Sequence, residues 1–177
     1  MKKLISVLGS TGSIGLNSLE IISKKKKYFK PFIFSANKNY KLICNQIIKF
    51  KPLYFLINDK KIYKKISKKF KNNKVKIISD YKSINFKSKK SITISAIPGI
   101  AGLNPVLELI RYSEKILIAN KEAIICGWNL IKKKAEKNKT KLIPVDSEHF
   151  SILKLLENQK FELIEKIYLT ASGGPFL

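Results

Sequence analysis

Three evenly spaced glycines, Gly9, Gly12 and Gly15, stand between an apolar run and an amphipathic segment. The run at residues 4–8 predicts a buried strand, and the segment that follows predicts a helix. A turn without Cβ atoms lets a pyrophosphate approach the backbone, and the new helix offers free N–H groups and the positive end of its dipole. The order therefore indicates a phosphate-binding unit. Because the spacing departs from the commonest dinucleotide fingerprint, a glycine turn without a ligand is the alternative.

The second predicted strand, residues 32–35, runs into Ala-Asn-Lys-Asn at residues 36–39. Proteins that bind NAD usually place an acidic residue about 20 positions after the glycines, where it holds the ribose 2′-hydroxyl. This segment has no acid, whereas Lys38 and the asparagines beside it can bind a 2′-phosphate through charge and hydrogen bonds. The segment therefore favours NADPH over NADH. The alternative is that Lys38 is one more solvent-exposed lysine in a lysine-rich chain.

With 177 residues, 45% of them hydrophobic, the chain is long enough for one sizeable domain or for a domain and part of another. No apolar run reaches the roughly 18 residues of a membrane span, and the glycine turn follows too early for a signal peptide. We therefore expect a cytoplasmic protein without a membrane partner.

A net charge of +24 raises the question of nucleic-acid binding. Of the 36 basic residues only Arg111 is an arginine, and the lysines are spread through nearly every segment. Specific readers of nucleic acid favour arginine, which binds bases and phosphates with two parallel hydrogen bonds. We therefore expect no specific nucleic-acid partner. A non-catalytic, basic module that binds nucleotide or RNA is kept as an alternative.

Apolar runs that read as strands alternate with helical patterns along most of the chain. The predicted strands are residues 4–8, 32–35, 53–57, 75–78, 92–97, 115–119, 141–145 and 166–170. The alternation predicts an α/β fold with a doubly wound, mainly parallel sheet, Rossmann-like, whose ligand crevice lies beyond the carboxyl ends of the strands. The apolar helical stripes predict core packing, among them Ile14, Ser18, Ile21 and Ile22. Asn104 and Pro105 predict an N-cap and a first-turn proline, and Cys44 and Cys126 predict buried free thiols.

Two carboxylates, Asp146 and Glu148, follow the predicted strand at residues 141–145, where extended chain enters a helix. At this spacing both can converge on one point, and two such groups repel unless a cation or proton lies between them. Oxygen ligands without thiolates or paired imidazoles favour Mg²⁺ or Mn²⁺ over zinc. The alternative is that Asp146 or Ser147 caps the helix and that Glu148 interacts favourably with its dipole.

Four motifs carry a family resemblance: Gly-Ser-Thr-Gly-Ser-Ile-Gly at 9–15, Ala-Asn-Lys-Glu at 119–122, Pro-Val-Asp-Ser-Glu-His at 144–149 and Ser-Gly-Gly-Pro-Phe at 172–176. In their order and closely similar spacing the chain resembles the 1-deoxy-D-xylulose 5-phosphate reductoisomerase family, over essentially its whole length. The resemblance implies an NADPH- and metal-dependent enzyme, a homodimer at full length. It also implies the reaction: 1-deoxy-D-xylulose 5-phosphate is rearranged and then reduced to 2-C-methyl-D-erythritol 4-phosphate, a step of non-mevalonate isoprenoid synthesis.

The resemblance also implies roles for residues at matching positions. The pyrophosphate would be held by Thr11, Gly12, Ser13 and Ile14. The adenosine ribose and its phosphate would be held by Asn37, Lys38 and Asn39. The cofactor would also be contacted by Asn120 and Glu122. The substrate would be bound by Lys121, Ser147, Glu148 and Ser172. The metal ligands would be Asp146 and Glu148, and the catalytic residues would be Lys121, Asp146 and Glu148.

The chain departs from the family pattern in two residues and in length. Asn37 and Ala171 stand where the family commonly has glycine, and asparagine at least tolerates left-handed backbone. Family members are more than twice as long, so we expect an NADPH-binding domain at residues 1–146 and the start of a catalytic domain at residues 147–177. On this expectation the chain is a fragment without the third metal carboxylate and the lid, and turns over substrate poorly. A different NADPH oxidoreductase on the same fold is the remaining alternative.

Overall fold

The computed structural model describes residues 2–86 and 91–169, and these ranges contain seven strands and six α-helices. The strands are β1 (Lys3–Leu8), β2 (Phe29–Ala36), β3 (Tyr54–Ile57), β4 (Lys76–Ile78), β5 (Ser91–Ser95), β6 (Ser113–Ile118) and β7 (Lys141–Pro144). The helices are α1 (Ser13–Lys24), α2 (Tyr40–Phe50), α3 (Lys60–Lys69), α4 (Leu103–Leu109), α5 (Lys121–Asn138) and α6 (Ser147–Leu156).

All seven strands form one sheet in the order β4-β3-β2-β1-β5-β6-β7, and every neighbouring pair is parallel. The chain builds outward from β1 to β4, then crosses to the other side of β1 and adds β5, β6 and β7. The order therefore reverses between β1 and β5, which is the position where open parallel sheets bind their ligands. This arrangement confirms the predicted doubly wound, parallel α/β fold.

Apolar side chains cover both faces of the sheet, as a parallel sheet requires. On one face Val7 and Phe34 pack with buried residues of α1, α2 and α3. On the other face Leu8 and Phe32 pack with Leu109 of α4. A third cluster joins β6 to α4 and α5 around Ile131. The strands are thus fixed from both sides, and their carboxyl ends are held at one edge.

Helix α1 buries only part of the predicted stripe Ile14, Ser18, Ile21 and Ile22, of which Ile22 alone is buried. Ile14 and Ile21 are 45% and 59% exposed, and the buried residues are Gly15, Leu19 and Ile22. The reason lies at the start of the helix, where a Cβ added to Gly15 would come within 2.2 Å of the carbonyl oxygen of Gly9. Only glycine allows so close an approach of α1 to the turn at residues 9–12. The close contact turns the side of α1 that carries Gly15 toward this turn and the sheet.

Three smaller predictions are also wrong. Cys44 is buried but Cys126 is exposed, because α5 packs through Ala123, Gly127 and Ile131 on another side. Helix α4 begins at Leu103 without Asn104 as its cap, because a 3₁₀ turn leads directly into it. Residues 166–169 form no strand, and residue 170 lies outside the described residues. An apolar pattern alone does not make a strand, since the backbone groups need a paired neighbour.

In the part of the chain that the structure describes, no helix combines the length and the apolar character that crossing a membrane requires.

Candidate functional site

The glycine turn, residues 9–12, joins β1 to α1 at the point where the strand order reverses. Gly9 has a φ of +77°, and a Cβ there would meet the carbonyl oxygen of Ala96 at 2.6 Å. Gly9, like Gly15, is therefore required by the fold itself. Gly12 is different, because its φ is −82° and the atom nearest to an added Cβ is 3.5 Å away. The fold has room for a side chain at residue 12, so glycine there leaves space in front of the turn.

Helix α1 begins without a side-chain cap. Its N-cap residue is Gly12, and the first bond within the helix runs from the N–H of Leu16 to the carbonyl oxygen of Gly12, at 2.8 Å. The N–H groups of the preceding residues in the first turn have no partner within the helix. Together with the positive end of the helix dipole, these donors form an anion site beside the predicted residues Ser13 and Ile14.

Two clefts lie at the glycine turn and share Gly12 and residues 96–98 as walls. The first, of about 340 Å³, also contains Thr11, Asn37 and Asn58. The second, of about 240 Å³, is completed by Ser13, Ile14, Ala119, Asn120 and Glu122. Six of the predicted cofactor residues other than Gly12 therefore line two adjoining clefts, on either side of the turn.

The predicted 2′-phosphate residues form the exposed connection between β2 and α2. Asn39 caps α2, and its Oδ1 accepts a hydrogen bond from the N–H of Leu42 at 3.1 Å. Lys38 is exposed, and among residues 2–86 and 91–169 its ammonium has no carboxylate partner within ion-pair distance. Asn37 does not use the left-handed backbone that asparagine would tolerate. A free lysine at this position leaves its charge available to an incoming anion.

Asn120 is a buried residue that holds two elements together. Its Nδ2 donates to the carbonyl oxygens of Ile97 and Gly99, the latter at 2.8 Å, and its Oδ1 accepts from the N–H of Ala123 at 2.9 Å. The side chain therefore caps α5 and fixes the loop after β5 that walls both clefts. Both polar atoms of the Asn120 side chain are thus already hydrogen-bonded within the protein. The predicted contact of Asn120 with the cofactor would therefore come chiefly from its main chain.

The two predicted metal ligands lie at the start of α6, immediately after β7. Asp146 is the N-cap of this helix, and its Oδ1 accepts from the N–H of His149 at 2.9 Å and lies 2.7 Å from His149 Nδ1. Asp146 therefore caps α6, as the alternative interpretation expects, and its role as a metal ligand stays a prediction. Glu148 accepts a hydrogen bond from Ser147 Oγ at 3.0 Å, and its other oxygen is 3.9 Å from Nζ of Lys121.

The surroundings of both carboxyls favour their ionised forms. Burial opposes ionisation of Asp146, but hydrogen bonds from the backbone and ring of His149 outweigh it, and they hold the pKa of Asp146 below its usual value. Hydrogen bonds from its own N–H and from Ser147, with the charge of Lys121, lower the pKa of Glu148. Two ionised carboxylates at a helix start are what a hard divalent cation needs, and they also interact favourably with the helix dipole.

The residues that the structure describes contain no group of three or more His, Cys, Asp and Glu placed to hold a metal ion. Asp146 lines a cleft of about 180 Å³ together with Lys121, Trp128 and His149. Mg²⁺ is usually bound through one or two carboxylates, with waters and substrate oxygens completing its shell. Asp146 and Glu148 therefore fit such an ion as part of its ligand set.

The glycine turn and the carboxylates share one edge of the sheet. Only β5 and β6 separate β1 from β7, a span of about 14 Å at the usual spacing of strands. The start of α5 connects the two regions, because Glu122 lines a cleft with Gly12 while Lys121 pairs with Glu148. The fold and site thus define the class, a Rossmann-like α/β domain with an acidic, cation-compatible pair at the edge of the sheet that carries the glycine turn.

Family models identify the relatives of the chain. The model described as 1-deoxy-D-xylulose 5-phosphate reductoisomerase matches residues 5–127, and the model for that enzyme's C-terminal domain matches residues 142–177. The chain therefore belongs to the 1-deoxy-D-xylulose 5-phosphate reductoisomerase family. The resemblance drawn from the four motifs is confirmed.

Curated relatives agree with this assignment. The chain is 48% identical to the 1-deoxy-D-xylulose 5-phosphate reductoisomerase of Pelagibacter ubique, over 99% of the chain and 46% of the relative. It is 41% identical to that of Clostridium novyi, over 98% of the chain and 46% of the relative. The chain thus spans about half the length of the curated relatives that it matches.

Solved structures of the same enzyme have a similar fold. The Zymomonas mobilis reductoisomerase in complex with NADPH aligns with a TM-score of 0.74 at 26% identity, covering 84% of this chain and 40% of that one. A reductoisomerase in complex with NADPH, fosmidomycin and magnesium aligns with a TM-score of 0.72 at 25% identity, covering 83% and 37%.

Some residues that line the site were not predicted from the sequence, and one predicted residue lies outside the described residues. Ser35 and Asn58 line the cleft of about 340 Å³ but belong to no glycine or acidic motif. The signal that could have found them is their position, since each lies where a strand reaches the carboxyl edge of the sheet. Ser172, predicted to bind substrate, lies outside the described residues.

Proposed function

We propose that this chain binds NADPH, and that the whole protein converts 1-deoxy-D-xylulose 5-phosphate to 2-C-methyl-D-erythritol 4-phosphate with NADPH and a divalent cation. The observation that carries the proposal is that the glycine turn, the Lys38 loop and the Asp146–Glu148 pair lie at one edge of the sheet, in a chain of this family. The geometry supports the binding functions. Membership of the family supports the choice of substrate.

The cofactor residues act through a few defined contacts. Donors at the start of α1, with the hydroxyls of Thr11 and Ser13, hold the pyrophosphate, and the absent side chain of Gly12 allows its approach. Lys38 binds the 2′-phosphate as an unpaired cation, between Asn37 and Asn39, which offer hydrogen bonds. The partly exposed side chain of Ile14 and the nearby Glu122 border the remainder of the cofactor. NADPH, when bound, supplies the hydride for the reduction.

The substrate residues lie around the start of α6. Asp146 and Glu148 would hold Mg²⁺ or Mn²⁺, and a bound cation supplies polarisation of the substrate's carbonyl and hydroxyl oxygens. The ammonium of Lys121, half-exposed and 3.9 Å from Glu148, balances anionic charge brought by a sugar phosphate. Ser147, whose hydroxyl proton is given to Glu148, would hydrogen-bond substrate through its oxygen, and Ser172 is also assigned a hydrogen bond to substrate. Lys121, Asp146 and Glu148 are the proposed catalytic residues.

We extend the proposal to domains, assembly and location. Residues 1–146 form the nucleotide-binding domain and residues 147–177 begin a catalytic domain, which agrees with the absence of any buried residue in α6. The full-length protein is a cytoplasmic homodimer. Sedimentation of the full-length protein tests the dimer.

Titration of the 177-residue chain with NADPH and NADH, followed by nucleotide fluorescence, tests the cofactor assignment. The proposal requires NADPH to bind more tightly than NADH. Equal binding of the two, combined with salt-sensitive binding of RNA, would support the basic relic instead, because phosphate contacts weaken steeply as salt rises. Loss of metal dependence in the full-length enzyme would favour a different oxidoreductase on this fold.

Replacing Asp146 with asparagine separates its two roles. Asparagine caps helices about as well as aspartate, so Asp146→Asn should leave α6 intact, with a change in the free energy of unfolding below about 0.5 kcal/mol. It removes one of the two anionic oxygen ligands, so binding of Mn²⁺, measured by electron paramagnetic resonance, should weaken at least about tenfold. Asp146→Ala, the comparison, should lose both the cap and the metal. Undiminished Mn²⁺ binding in Asp146→Asn would leave Asp146 as a cap alone.

The 177-residue chain should turn over 1-deoxy-D-xylulose 5-phosphate poorly or not at all, even with NADPH and Mg²⁺. The described residues supply only two carboxylates to the cation, and Lys121 and Glu148 are both partly exposed to water. Water in an open site weakens the electrostatic interactions on which the rearrangement depends. NADPH absorbance and product detection by mass spectrometry measure the rate, and turnover comparable with that of the full-length relatives would contradict this prediction.

A further inference from the structure

Gln46 of α2 forms two reciprocal hydrogen bonds with Ser10 in the glycine turn. Ser10 Oγ donates to Gln46 Oε1 at 2.6 Å, and Gln46 Nε2 donates to the carbonyl oxygen of Ser10 at 2.8 Å. Both residues are buried, Ser10 at 0% and Gln46 at 4% exposure. Burying an amide is unfavourable unless its groups are paired. Here the pairing is directed at the backbone and side chain of a single turn residue.

The glycine turn is also hydrogen-bonded to the end of β2. The N–H of Gly9 donates to Ser35 Oγ at 3.2 Å, and the N–H of Ser10 donates to the carbonyl oxygen of Ser35 at 2.8 Å. The connection from β2 to α2 is the segment that contains Lys38. The glycine turn is therefore tied to the elements on both sides of the Lys38 loop, through Ser35 on one side and Gln46 on the other.

We propose that Gln46 is a positioning residue for the nucleotide, which it does not itself touch. It fixes the Ser10 peptide and thereby the direction of the free N–H groups at the start of α1. This inference rests on the proposed cofactor function. Through α2 it also positions the Lys38 loop relative to the pyrophosphate donors, so that the pyrophosphate and the 2′-phosphate of the cofactor meet a single hydrogen-bonded unit.

Loss of Gln46 should leave a signature different from loss of Lys38. NADPH and NADH share the pyrophosphate, whereas only NADPH carries the 2′-phosphate. Gln46→Met keeps the approximate size of the side chain and removes both hydrogen bonds, so the Ser10 groups lose their partners. We expect the Kd to rise about tenfold for NADPH and for NADH alike, so that the ratio of NADH Kd to NADPH Kd is unchanged. Lys38→Ala should weaken the binding of NADPH alone and thereby lower that ratio.

The matched control is Asn45→Ala, which removes an exposed amide from the same turn of α2. Thermal melting by circular dichroism shows whether each variant is folded, and the Kd is measured only below its transition. Hydrogen exchange of the Ser10 and Gly12 amides, measured without nucleotide, reports directly on the turn. We expect faster exchange at both amides in Gln46→Met and no change in Asn45→Ala.

The outcomes separate the inference from the cofactor assignment. If wild type binds neither nucleotide, the proposed function of this chain fails, while exchange at Ser10 still decides whether Gln46 holds the turn. A Gln46→Met chain with unaltered exchange at Ser10 overturns the inference. So does one that melts earlier but binds both nucleotides as tightly as wild type, because Gln46 would then serve stability only.

Discussion

Alanine at Gly12 should lower the free energy of unfolding by no more than about 1 kcal/mol, the cost of a poorer N-cap, and should weaken NADPH binding, whereas alanine at Gly9 or Gly15 should destabilise the chain more strongly. A Cβ at Gly12 meets no protein atom closer than 3.5 Å, so it enters the space that we propose for the pyrophosphate. A Cβ at Gly15 would lie 2.2 Å from the Gly9 carbonyl oxygen, and Gly9 combines a φ of +77° with a contact of 2.6 Å. The three glycines therefore separate a ligand requirement from a folding requirement.

The expected sizes follow from these contacts. Gly9→Ala and Gly15→Ala should each lower the free energy of unfolding by roughly 2–4 kcal/mol, because overpacking and left-handed strain exceed any gain in helix propensity. Gly12→Ala should raise the Kd for NADPH more than about tenfold. Urea unfolding and fluorescence titration measure the two effects. If Gly12→Ala binds NADPH normally, the glycine turn is a structural turn without a ligand.

Reversing the charge of Lys38 should remove most of the preference for NADPH. Lys38 is exposed at the carboxyl end of β2, with no carboxylate partner among the residues described, so its charge acts on the ligand rather than on the fold. Charge-assisted hydrogen bonds contribute about 1.5–3 kcal/mol, and Lys38→Glu replaces that attraction with repulsion. We expect the ratio of NADH Kd to NADPH Kd to fall about 100-fold, with stability unchanged.

Lys41→Glu supplies the matched control for this experiment. Lys41 is also exposed, lies three residues further along in the first turn of α2, and changes the net charge of the chain by the same amount. It should reduce NADPH binding only slightly, since exposed charges further from the ligand are screened by salt. Equal losses in both variants would mean that NADPH responds to the overall charge of a lysine-rich surface.

The fold and the edge that carries the site were largely predictable from the sequence. Parallel strands buried on both faces give runs such as residues 4–8, which local pattern identifies, and the rule for carboxyl ends then selects Lys38 and Asp146. The face that α1 buries was predicted only in part, at Ile22, because it depends on the fit of Gly15 against a carbonyl oxygen contributed by the turn. Neither was the exposure of Cys126, which follows from the packing of α5.

Hydrogen-bond partners were the other feature that could not be predicted from the sequence. Asp146 could cap a helix or ligate a metal by its position alone, and in the structure it caps α6 with an ionised carboxyl that is still suited to a cation. Gln46 lies in an ordinary amphipathic helix, and its pairing with Ser10 depends on how α2 packs against the turn. Such contacts depend on tertiary geometry, which periodicity does not encode.

A structure of this chain crystallised with NADPH tests the central claim most directly. We expect the pyrophosphate against the N–H groups at the start of α1, next to Gly12, with the 2′-phosphate within reach of Lys38. The opposite, amino-terminal edge of the sheet offers a larger cavity, of about 600 Å³, lined in part by Phe32, Phe50 and Lys74. NADPH found in that cavity, with the glycine turn free, would contradict the account.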